Sequence, residues 1–294
     1  MPIADVILQS SDLVDFYVHR SVLIVSSPFF RDMFSLPQPP NGAGPNALPV
    51  VQLPEDAETL DCLISMLYPV PPEMPSSSDN VLALLAAAVK YDMDTVQSSI
   101  RAEINRRGLL SSTPAELFHV YAVAFSKGLI PEMESSARLT LAHPLTFESL
   151  GDTLRSFEGP ALRNLADFRL RSIREFKSNS KSFCRYEGPS KIWEGCVATR
   201  RHYLPQWLED SHWLSRPISA DNDSLTDTIP TDAQLCDKYL KALQTHVEKR
   251  DCRSCLMVHA HQGEKYCEKL KDVLAQVRNV PIFDVGGMTW ESEK

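Results

Sequence analysis

The chain has 294 residues, 43% hydrophobic and 23% charged, with 30 Lys and Arg against 38 Asp and Glu for a net charge of −8. That is ordinary for a globular protein, long enough for a large core shared by more than one unit, and too acidic for one whose main work is gripping nucleic acid. Seven cysteines, an odd number spread thinly, do not make a disulfide framework.

Ala4–Leu8 and Asp15–Arg20 alternate apolar and polar residues on either side of Gln9-Ser10-Ser11-Asp12, which predicts a hairpin. Ser21–Ser26 reads as a short helix. Ser27-Pro28 then supplies an N-cap followed by Pro at the first helical position, where its missing N–H costs nothing. The helix Pro28–Phe34 is expected to bury Phe29, Phe30, Met33 and Phe34. Five prolines in 35–49 predict a loop, and Val50–Leu53 a third strand. Leu60, Leu63, Ile64 and Leu67 carry helical spacing through Asp56–Tyr68, and Pro69–Ser78 interrupts it. Asp79 is read as the cap of Val81–Met93, apolar on nearly every face and therefore central. Asp94 is read as the cap of the next helix, with Val96, Ile100 and Ile104 on one stripe and Gly108 at its end.

The second half reads as wholly helical. Thr113-Pro114-Ala115-Glu116 is a capping box, and Gly128 closes its helix. Helical patterns continue through Glu132–Leu141, Phe147–Leu154 and Ala161–Phe176. Ser178–Ser190 reads as a polar linker, Trp193–Trp213 as a packed helix and Ser215–Pro230 as a loop. Asp232–Leu256 and Glu264–Val280 read as a terminal helical hairpin.

The order strand, strand, helix, helix, strand, helix and two further helices resembles the BTB/POZ domain. The residues that carry the likeness are Ala4-Asp5-Val6, Phe16-x-Val18-His19-Arg20, Leu23, the run Ser26–Phe34, and Leu67-Tyr68-Pro69. Leu84–Met93 with Tyr121–Ala124 looks like the branch of this family found in fungi. The resemblance implies a protein-interaction domain over 1–108 in which Asp5 and Arg20 line a charged pocket; an ordinary structural ion pair is the other reading of those two residues. It also makes Phe30, Met33, Phe34 and Leu36 candidate partner contacts. Only Met1-Pro2-Ile3 precede the first strand pattern, so the swapped N-terminal element of many dimeric members is not expected. Members that recruit a cullin ubiquitin-ligase scaffold often carry a hydrophobic-x-Glu motif after the second helix. Here that place holds Leu36-Pro37-Gln38, without the acid.

Catalytic signatures are missing: there is no G-x-S-x-G, phosphate loop, G-x-G-x-x-G or H-E-x-x-H, and glycines number only 11. A non-enzyme without a cofactor is therefore expected. One cluster, Cys252-x2-Cys255-x3-His259-x-His261-x5-Cys267, has the ligand types of a structural zinc site; the same cysteines at helical spacing would also serve as small apolar residues. Residues 163–201 hold ten Lys and Arg against four Asp and Glu, either a nucleic-acid contact or a solvated helix face. No signal-peptide pattern opens the chain, and the longest apolar run, Val81–Val89, is too short to span a bilayer.

The fold class expected is α+β: a BTB/POZ-like domain (1–108), a helical extension (109–177), and a C-terminal helical region (178–294). The function expected is a protein-protein interaction adaptor, intracellular in cytoplasm or nucleus. Its partners would be other proteins, a cullin scaffold or a second copy, with no membrane. The alternatives are a cullin-based ubiquitin-ligase substrate adaptor and a nuclear regulator touching nucleic acid through 163–201. The loop 35–49 and the segment 69–78 are the candidate recognition loops.

Overall fold

The computed structural model describes residues 4–36, 48–108, 113–186, 228–234, 237, 267–268 and 271–282. The chain forms two compact units: one comprises 1–116 with 123–133, the other 117–122 with 134–294.

In the first unit the alternating segments form β1 (Val6–Gln9) and β2 (Asp15–Val18), paired antiparallel with Val6 opposite Val18 and Gln9 opposite Asp15. Helices α1 (Arg20–Ser26) and α2 (Pro28–Ser35) then return the chain to the other side of β1, where β3 (Val50–Gln52) pairs parallel. The sheet order is β2-β1-β3. Period-two alternation sends Val6, Leu8 and Val18 into the core. On the other face Gln9 lies between Asp15 and Gln52 in register, and the three are hydrogen-bonded side chain to side chain.

Ser27 joins α1 to α2. Its backbone N–H ends α1 on the Leu23 carbonyl, its Oγ accepts the Phe30 N–H that opens α2, and the same hydroxyl donates to the Tyr91 carbonyl at 2.5 Å. A serine rather than a larger cap fits because the site is fully buried. Around it Phe30 stacks on Tyr91 with centroids 5.1 Å apart, and Phe29 packs on the same ring at 5.2 Å. Phe29 nonetheless stays 39% exposed, so α2 does not bury all four of its large residues.

Helices α3 (Ala57–Ser65), α4 (Ser78–Lys90) and α5 (Asp94–Arg107) add to this unit's core. Asp56 caps α3 through the Thr59 N–H. The cap of α4 is Ser77, not Asp79: the serine hydroxyl accepts the Asp79 N–H, which leaves the Asp79 carboxylate in the first turn, where the helix dipole favours it. Asp94 likewise is the first helical residue of α5, and Met93, with no side-chain cap, precedes it. That entry is set by the end of α4. The Met93 N–H bonds to Ala88 O and the Asp92 N–H to Val89 O, with Asp92 left-handed at φ 52, a Schellman ending that buries Met93.

Helix α6 (Pro114–Ser126) opens with the capping box expected at Thr113 and Glu116. It ends in a second Schellman turn around Gly128, whose φ of 68 suits a residue without Cβ. Next comes α7 (Ile130–Thr140).

In the second unit α8 (Phe147–Leu150) is only one turn long. At Gly151 the chain tightens into a 3-10 turn, Gly151–Ser156, instead of continuing as one helix to Leu154. Helix α9 (Gly159–Tyr186) includes the polar Ser178–Tyr186 stretch that read as linker, because polarity alone does not end a helix and that stretch holds no Gly or Pro. Ala161, Leu165, Phe168, Ile173 and Phe176 form its buried stripe. Tyr121 fastens the start of α9, its hydroxyl donating to Ala161 O and accepting from Asn164. Among the C-terminal residues, Val273, Leu274, Val277 and Ile282 are buried, and the Val280 and Ile282 carbonyls accept from Arg138 and Arg171.

Candidate interaction surface

The end of the hairpin where β1 begins and β2 finishes brings Asp5, His19 and Arg20 together. The Asp5 carboxylate accepts the Arg20 backbone N–H at 2.6 Å, while the Asp5 N–H donates to Val18 O. Among the described residues Asp5 and Arg20 form no side-chain ion pair. The Arg20 guanidinium instead lies 4.4 Å over the Phe34 ring, with Nε buried and without a hydrogen-bond partner among the described residues. A cation stacked on an aromatic face keeps its charge and part of its hydrogen-bonding capacity for an incoming acceptor.

Tyr68, from the segment after α3, closes this corner. Its hydroxyl oxygen accepts the His19 backbone N–H at 3.0 Å and lies 3.0 Å from His19 Nδ1. His19 is therefore the residue preceding α1 by backbone position, without a side-chain cap of its own. Tyr68 is the member of this site that reading for chemistry missed. Its only sequence signal is the Leu67-Tyr68-Pro69 motif.

The candidate contacts on α2 divide by depth. Phe30 is 1% exposed and belongs to the core, so a partner reaches it only through its neighbours. Met33 and Phe34 are half-buried, and Leu36 is 63% exposed. With Phe29 and with Val25 (87% exposed) on α1, they leave apolar surface that the core does not use.

Of the two candidate recognition loops, residues 37–47 lie outside the described residues. The segment 69–78 is partly anchored: Arg107 donates to the Pro75 carbonyl, and Met74 Sδ lies 3.9 Å from Cys62 Sγ.

Three groups with reactive side chains are held protonated. Burial pushes the Cys62 thiol up to about 11, with Asp61 and Glu58 adding to it, so it stays protonated. Burial, and then its bond to Glu55, raises Tyr91; burial raises Tyr121 to about 12. Of the zinc-type cluster only Cys267, buried, is described; Cys252, Cys255, His259 and His261 lie outside the described residues. No group of potential metal ligands occurs among the described residues.

The basic stretch loses cations to the fold. Arg169 is fully buried on the apolar stripe of α9, donating to the Thr140 and His143 carbonyls at the end of α7, and burial lowers it to about 10. Arg171 donates to Ile282 O. These two guanidinium groups are spent on backbone carbonyls inside the second unit, which thins the positive face. Among the described residues no helix is long and apolar enough to cross a membrane.

The BTB/POZ domain family model matches residues 2–107, spanning the sheet, the Asp5–Arg20–Tyr68 corner and helices α1 to α5. No curated protein matches the chain.

Proposed function

With a BTB/POZ domain at residues 2–107 as the premise, we propose that the protein is a non-enzymatic interaction adaptor whose N-terminal domain docks a protein partner. The observation that carries this is the apolar surface on α1 and α2, Val25, Phe29 and Leu36, exposed beside the half-buried Met33 and Phe34. Apolar area displayed on a helix pair joined through the buried Ser27 is what a partner can bury at little ordering cost. The half-buried Arg20 guanidinium above Phe34 places a positive charge beside it for a partner's carboxylate or carbonyl.

The proposed domain scheme follows the sequence reading: an interaction domain over 1–108, a helical extension over 109–177, and a C-terminal region over 178–294 that receives a second partner or stabilises the first domain. A structural zinc on Cys252, Cys255, Cys267 and one of His259 and His261 would belong to that last region, and metal analysis of the purified chain tests it. Placement in the fungal branch and in the cytoplasm or nucleus belongs to the same reading. It is supported by Leu84–Met93 and by cysteine usage.

The more specific version is substrate adaptor of a cullin-based ubiquitin ligase. Purified cullin scaffold is titrated with the full chain and with Leu36→Asp. Saturable binding lost in Leu36→Asp supports this version, and no binding at low salt removes it. Partner capture by affinity purification and mass spectrometry, compared between wild type and a Val25→Asp, Leu36→Asp double variant, tests the broader reading. Unchanged partners in a folded double variant would refute the α1–α2 surface.

A further inference from the structure

The other end of the β1–β2 hairpin carries an apolar residue where backbone geometry argues against one. Ser10 to Val14 form a three-residue loop: the Leu13 N–H donates to Ser10 O, and the Ser10 N–H to Val14 O, each at 3.0 Å. Such a loop needs its last residue in the left-handed region, a place usually taken by Gly. Here Leu13 occupies it at φ 65. The strain is not offset by packing, since Leu13 is 73% exposed and its neighbour Val14 43% exposed. Neither the turn nor the core accounts for a leucine there.

The loop is also braced. The buried Ser10 hydroxyl accepts the Val14 N–H at 2.9 Å, the Ser11 N–H donates to Glu55 O at 2.8 Å, and Asp12 Oδ1 accepts the Ala57 N–H at 2.9 Å. Its rim is acidic. Asp12, Asp15 and Asp56 are exposed, and residues 4–18 contain no Lys, Arg or His. The Glu55 charge, by contrast, is matched by Lys90 at 2.9 Å.

We propose that Leu13 and Val14 form a preorganised apolar knob that docks into a socket on a partner protein, apolar at its floor and edged with Lys or Arg. The acidic rim disfavours nucleic acid and anionic membrane and complements a basic border. Five hydrogen bonds from main-chain N–H groups fix the turn, so insertion orders only the leucine side chain and not the backbone that carries it. This surface lies at the opposite end of the hairpin from Asp5 and Arg20 and does not depend on the α1–α2 reading.

The test places a benzophenone side chain at exposed Ser11 of the full chain, with a control probe at exposed Ser98 on α5, and irradiates in the native cell extract. The expected result is one protein adduct specific to the Ser11 probe. Its mapped contact peptide is apolar with adjacent Lys or Arg, and its yield falls by about tenfold with Leu13→Gly. Raised salt and Asp15→Asn should both weaken it. Leu13→Gly and Leu13→Asn suit the left-handed position, so both should keep the wild-type melting temperature or exceed it. An adduct unchanged by Leu13→Gly, none above the Ser98 control, a contact peptide without basic residues, or attachment only to nucleic acid or lipid would each overturn the proposal. So would unfolding of both variants, since it would show that Leu13 serves the fold. Leu36→Asp should leave this adduct intact, which separates a failure here from a failure of the α1–α2 surface.

Discussion

Replacing Tyr68 by Phe removes one oxygen and keeps the ring, so it isolates the bond that closes the Asp5–Arg20 corner. That oxygen accepts the His19 N–H at 3.0 Å between residues 49 apart in sequence, fastening the end of β2 and the start of α1 to the segment after α3. A net bond of this kind is worth about 1 kcal/mol, and leaving a half-buried N–H that water reaches only in part adds up to about 1 more. Tyr68→Phe should therefore destabilise the protein by about 1–2 kcal/mol. Urea unfolding of the full chain followed by circular dichroism should show a lower midpoint at unchanged slope, and the His19 amide should exchange faster with solvent. Because the acceptor serves a backbone donor, the loss should persist in a His19→Ala background. A change below about 0.3 kcal/mol, or complete loss of the effect in His19→Ala, would refute the assignment of the bond to the main chain.

Asp92 sits left-handed at φ 52 in the Schellman ending of α4 and is exposed, so Asp92→Gly should stabilise by about 0.5–1 kcal/mol in the same urea assay. Arg169→Ala opens a cavity and strips two carbonyls of their donors; a loss of about 3 kcal/mol is expected, with Arg169→Lys intermediate because a single ammonium does not reproduce the guanidinium fork. The Glu103 carboxyl is held down at about 2 by hydrogen bonds from Arg106 and then Arg107. The stability it contributes is therefore complete above the ordinary value of 4.5 and is lost as pH falls through the folded value. Lowering the pH from about 6 to about 3 should lower the urea midpoint of wild type more than that of Glu103→Gln.

How far the sequence reading reached depends on the range of the interaction. Ser27-Pro28, Thr113 with Glu116, and Gly108 and Gly128 were legible, because a cap or a left-handed ending is decided within four residues. The choice of Ser77 over Asp79 was not, because both residue types can cap and the sequence pattern alone does not rank them. Arg169 was counted with a solvated face. Its spacing from Leu165, Ile173 and Phe176 placed it on the buried stripe, a signal that charge obscured.

The alternation of Val6, Leu8 and Val18, the capping residues, the apolar run of α4 and the apolar stripe of α5 by themselves determined an α+β domain at the N-terminus and helices beyond it, since these patterns state which face must leave water. Only the tertiary structure decided that Tyr68 closes on His19, that Asp5 serves the Arg20 backbone while the guanidinium rests on Phe34, and that Leu13 projects from a strained and braced turn. Those pairings join residues distant in the chain, or depend on φ angles that neighbours set, and composition and spacing carry no record of either.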